Sequence, residues 1–134
     1  MTKLLILLLL IPSFGLSQHK DEIQKKQFAE ISDDLLMCYT YYGLTSVGLS
    51  RNTETPVESI NLIKNIQDSM LITVKAMTAI SHISDKAIDA KIETMRTIIM
   101  EEIDYDFTNL SVATLKWGGE CNVLTQELMG LIKK

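Results

Sequence analysis

Apolar residues recur at steps of three and four along most of this chain, the spacing of amphipathic helices. The first predicted helix runs from about Lys20 to Ser50, where Phe28, Ile31, Leu35, Cys38, Tyr42 and Leu49 close one stripe. Leu36, Tyr39, Gly43 and Val47 make a second stripe beside it. Two adjacent stripes imply two packing neighbours, as in a bundle. Gly43 lowers helix propensity, so its place in a stripe suggests close approach of a partner helix. Tyr39 and Tyr42 share the buried side, and Tyr41 is expected to point outward.

A loop is expected at Arg51-Asn52-Thr53-Glu54. Thr55-Pro56-Val57-Glu58 then reads as a helix start: Thr55 as cap, Pro56 where its missing N–H costs nothing, Glu58 closing a capping box. The second helix carries Ile63, Ile66, Met70, Met77 and Ile80 on one face, with Ile60, Leu71 and Val74 flanking, and ends near Ser81 to Ile83. Ser84 followed by Asp85 supplies a cap and an acid for the next first turn. The third helix shows Ile88, Ile92, Met95, Ile99 and Ile103 and ends near Asp106 or Phe107.

Two starts are open for the fourth helix. It begins near Thr108 or Asn109, or Gly118-Gly119 break the third and a short helix covers Glu120 to Lys133. Trp117, Cys121, Leu124, Leu128 and Leu131 continue one stripe either way. The two cysteines bear on the choice. In an up-down-up-down bundle the first helix ends and the fourth begins at the same end of the molecule. Cys38 lies about 12 residues before the end of the first helix; with a start near Asn109, Cys121 lies as far into the fourth, and both sit ~18 Å from that end. They are then level and within bonding reach. A start at Glu120 would separate them by ~18 Å in height, too far for a bridge. The favoured architecture is therefore an all-α, antiparallel four-helix bundle with one disulfide, Cys38–Cys121, joining helices 1 and 4. Gly118-Gly119 become a kink or a close-packing spot inside the fourth helix.

The N-terminus alters the picture of where such a protein resides. Lys3 precedes an unbroken apolar run, Leu4 to Ile11, which Pro12 and Gly15 end. That length suits the core of a signal peptide (about 7–15 residues) and falls short of a membrane span (about 20). Gly15 and Ser17 are small residues placed for cleavage before Gln18. The expectation is a signal peptide over 1–17 and a single helical domain over 18–134, exported to the periplasm or beyond the cell, with no membrane insertion after cleavage. An oxidising compartment also suits the predicted disulfide.

Composition narrows the function classes. The net charge is −4, and such mild acidity without clustered Lys/Arg argues against nucleic-acid binding. With 46% hydrophobic residues, two prolines and six glycines, the chain reads as one globular domain rather than a disordered tail.

Candidate chemistry is sparse. Cys38 and Cys121 do not form C-x-x-C, and His19 and His82 are the only histidines, so neither a zinc site nor covalent haem attachment is indicated. No Glu-x-x-His pair of the di-iron bundles occurs. His82 falls in a predicted turn, as a solvated or capping residue. Glu101, Glu102, Asp104 and Asp106 form an acidic run that reads as a solvated helix end or an acidic docking patch; it lacks the glycine turn of a calcium loop. Asn109-Leu110-Ser111 matches a glycosylation sequon, and helix capping explains it equally well. No nucleophile motif or phosphate-binding glycine loop is present. No cofactor and no catalytic set are expected. The leading expectation is a non-enzymatic exported protein that acts by binding another exported or envelope protein. The alternative is a small-ligand-binding bundle, with a pocket near Tyr39, Tyr42 and Trp117. A third reading, an enzyme using the acidic run, requires those carboxylates to converge inward.

Overall fold

A computed structural model describes residues 18–132, and every regular element in that range is helical. The expected signal peptide, 1–17, lies outside the described residues. Helix α1 spans Gln18–Ser50, α2 Val57–Ser81 and α3 Asp85–Glu102. A 3-10 turn at Phe107–Asn109 opens the fourth helical segment. It continues as α4 (Leu110–Ala113), a π-helical turn at Thr114–Gly118, and α5 (Gly119–Ile132). The fourth segment thus starts beside Asn109, as the cysteine register required, and not after Gly119. No described helix is long and apolar enough to cross a membrane.

Helix α1 is the hub: α2, α3, α4 and α5 all pack against it, α2 most extensively. That coverage reaches a residue expected to face outward. Tyr41, expected outside, is buried with only 5% of its surface exposed. A helix covered from three directions buries more than two stripes, and Thr40, Tyr41, Leu44 and Ser46 go inside with Leu35, Leu36 and Cys38. The centre of the core adds Met70 and Val74 from α2, Ile99 from α3 and Ile103 just beyond it. Burying each such side chain contributes about 1.5–3 kcal/mol, and this packing, more than propensity, stabilises helices of this length.

The boundaries follow local chemistry, with one exception. Ser84 caps α3 by accepting a bond from the Ala87 N–H (3.2 Å). α2 ends at Ser81, where His82 turns left-handed (φ 57°) as its C-cap. The exception is the capping box expected at Thr55. Helix α2 begins at Val57 with Pro56 at the cap position and no side-chain cap bond. The chain before it is instead tied by Asn52, whose Oδ1 accepts from the Glu54 N–H (3.0 Å) and whose carbonyl accepts from Thr55 N–H (3.1 Å). On α2 the buried line is Met70, Val74, Met77 and Thr78, so Val74 moves from flank to centre. Ile80, assigned to the core face, is 52% exposed. It lies in the last turn of α2.

Gly43 has the close neighbour its position suggested. A Cβ there would stand 2.6 Å from the Gln67 side-chain nitrogen of α2.

Candidate functional site

Cys38 and Cys121 form the expected disulfide, with Cα atoms 5.2 Å apart. It clamps α5 to the middle of α1. Around it the two segments meet at a series of contacts: Tyr41 donates to Thr114 Oγ1 (3.3 Å), and the Tyr42 and Thr125 hydroxyls share a bond (3.1 Å). Gly118 lies where the buried Tyr41 hydroxyl arrives; a Cβ would come within 3.2 Å of it. This is the close-packing spot expected at the glycine pair, and Gly118 closes the π turn.

Trp117 lies within the π turn. Single π turns inside α-helices are frequent at functional sites. Trp117 is half-buried, and its indole N–H donates to Glu102 Oε2 (2.8 Å). Lys116 pairs with the other oxygen of Glu102 and lies 4.7 Å from the centre of the Trp117 ring. A carboxylate of α3 therefore orients the lysine and the tryptophan of the π turn together.

Trp117 stands in the wall of a groove of ≈ 730 Å³ between α1, α3 and α5. The Cys38–Cys121 bridge, Met37, Met95 and Leu124 line it with apolar surface, and Val123 joins them on α5. Four carboxylates also line it: Asp33 and Asp34 of α1, Glu120 and Glu127 of α5. Among the described residues no lysine, arginine or histidine does. Asp33 is paired with Lys91 of α3. Site residues of three separate helices thus converge here.

The aromatic trio expected to share one pocket is divided. Trp117 lines the groove. Tyr39 lies instead against a smaller cavity, ≈ 240 Å³, with Gly43, Gln67 and Arg96. Tyr42 is committed to Thr125 and tilts against the Tyr41 ring, with centroids 5.2 Å apart. The acidic run is also divided. Glu102 faces Trp117 and Lys116, while Glu101 and Asp104 are exposed. Asp106 caps the 3-10 turn by accepting from the Thr108 N–H (2.9 Å). That backbone bond, then one from the Thr108 side chain, holds the Asp106 carboxyl below its ordinary pKa, with Arg51 adding a weaker pull in the same direction. Between these acids, Asp104 and Tyr105 both adopt left-handed backbone (φ 53° and 56°). Asn109 of the sequon donates its amide to the Ile103 carbonyl (3.2 Å), so this side chain is part of the turn.

Among the described residues no three of His, Cys, Asp or Glu are placed to hold a metal ion. Among the site residues missed from sequence are Asp33, Asp34, Met37, Met95, Glu120, Val123 and Glu127. Glu120, Val123, Leu124 and Glu127 do follow a step of three or four, so one signal existed: acids flanking an apolar pair on one helix edge.

The fold and groove define a small disulfide-clamped all-helical protein with an apolar, acid-lined surface depression. Comparison with protein-family models, with curated proteins and with solved structures finds no match.

Proposed function

We propose that this is an exported, non-enzymatic helical protein that acts by binding another exported or envelope protein, and that the groove walled by Trp117 is its docking surface. One observation carries the reading: an apolar depression over the disulfide, with a tryptophan in its wall and acids alongside. Large aromatic residues beside apolar pockets anchor protein interfaces. The disulfide suits an oxidising compartment, which favours periplasmic or extracellular residence. The bundle topology belongs to the same proposal. Gly48 meets Phe107 and Leu110, Tyr41 meets Thr114, and Cys38 meets Cys121; falling numbers on α1 against rising numbers on the fourth segment favour the up-down alternation.

A photo-crosslinking residue in place of Val123, compared with one in place of Asp68 on the exposed side of α2, tests the docking surface. In producing cells, the reading expects a discrete adduct from position 123, none from 68, and binding of the identified protein when both are purified. Adducts from position 68 alone, or from neither position, would oppose it. A small apolar ligand in the same groove is the second reading, favoured by a volume within the range of about 300–1,000 Å³ common for such sites.

A further inference from the structure

The carboxylates specify what kind of partner the groove fits. Glu120 and Glu127 occupy one edge of α5, two turns apart, about 10.5 Å along the axis. Val123 and Leu124 lie between them, with Trp117, Met37 and Met95 across the depression. Asp33 and Asp34 lie on the α1 side, both already engaged, and among the described residues no basic side chain lines the groove. Among the described residues Lys91 pairs with Asp33 and Lys116 with Glu102.

An acidic partner would meet like charge at Glu120 and Glu127 and is disfavoured on entry. A neutral apolar segment would cover Glu127 without offering it a bond, and a buried carboxylate without a partner is costly. A segment carrying lysine or arginine avoids both penalties. We propose that the groove takes a basic amphipathic helical segment of the partner protein, with an apolar side chain against Trp117 above the Cys38–Cys121 bridge and cationic side chains against Glu120 and Glu127. The spacing of those acids matches cations at positions i and i+7 of the segment, with apolar residues at i+3 and i+4 between them. This inference rests on the groove being the docking surface.

Trp117 is the sole tryptophan, so its emission reports the groove directly. The disulfide-bonded protein would be titrated with synthetic helical peptides bearing lysine at i and i+7 and leucine at i+3 and i+4, then with glutamine or glutamate in place of lysine. The lysine peptide should shift the Trp117 emission saturably, the glutamate peptide should not, and added salt should weaken binding. Glu120→Gln with Glu127→Gln should weaken it roughly 3- to 10-fold, while leaving the melting temperature nearly unchanged because both sit at the groove edge. Equal binding of the glutamine peptide, indifferent to the two substitutions, would overturn the basic partner and leave the docking surface standing. So would failure of every peptide alongside a crosslink from position 123. Failure of the peptides together with loss of that crosslink would remove both. If dodecylamine alone matched the lysine peptide in affinity, the occupant would be a small cationic amphiphile, and the proposed segment would fall.

Discussion

Replacing both cysteines with serine (Cys38→Ser, Cys121→Ser) removes the clamp on which the groove depends. The bridge spans a sequence separation of 83, and for a loop of that length chain entropy gives about 4.5 kcal/mol, at the upper end of measured effects. A domain of this size has about 5–15 kcal/mol in total. The loss corresponds to roughly 15–20 °C in melting temperature. It should not fall evenly. Within the described residues α5 is held to α1 by the bridge, the Tyr42–Thr125 bond, buried Leu128 and half-buried Leu124. The α1–α2 contact, with Met70 and Val74 fully buried, does not involve the bridge. Urea unfolding of the oxidised protein, the reduced protein and the double serine variant would measure the total. Amide exchange would locate it: protection should fall first over 119–132 and last in the middle of α1 and α2. A serine variant within about 1 kcal/mol of the oxidised protein, far below the native-disulfide range, would refute the reasoning. Equal loss of protection in all helices would refute its local part.

Three further outcomes are expected. His82→Gly should stabilise by about 0.5–1 kcal/mol in urea unfolding, because the left-handed C-cap is strained for any residue with a Cβ. Ser32→Ala should be neutral or stabilise by up to about 1 kcal/mol, because the Ser32 hydroxyl is buried without a hydrogen-bond partner. Asp106→Ala should destabilise at neutral pH, and the difference should fade in acid. The folded Asp106 pKa is lowered, so its contribution is complete above the unfolded carboxylate value and disappears as pH falls through the folded one; urea midpoints of both proteins across pH 2–7 (a range chosen to bracket roughly the carboxylate values) would show it.

The helices were legible because their periodicity and punctuation agree. Ser84 announced a start that its hydroxyl makes, and the cysteine register chose the fourth-helix start beside Asn109 over one after Gly119. Errors arose where tertiary contact outweighs local pattern. Tyr41 was placed outside because two stripes already accounted for the apolar residues of α1, yet a central helix has no outer side there. Thr55 offered a capping box, but the Asn52 turn organised the loop instead. The candidate site was legible in part. Trp117 and the disulfide fell at the groove, whereas Tyr39 and Tyr42 did not, since sharing a helix face with Cys38 does not place a ring in the same depression. Met37, Met95, Glu120 and Glu127 come together only through the packing of three helices, and no local spacing encodes that. Within the π turn, Gly118 likewise meets the Tyr41 hydroxyl, a contact between residues distant in sequence.

Methionine methyl groups provide the most direct test of the groove as the recognition surface. Met37 and Met95 line it, while Met70 and Met77 are buried in the core. In the protein carrying 13C-labelled methionine methyls, the lysine-bearing helical peptide should move the Met37 and Met95 signals together with saturation and leave Met70 and Met77 in place. Shifts confined to other methionines, with Met37 and Met95 unmoved at saturating peptide, would place recognition of the basic segment elsewhere on the molecule and contradict its seat in the groove.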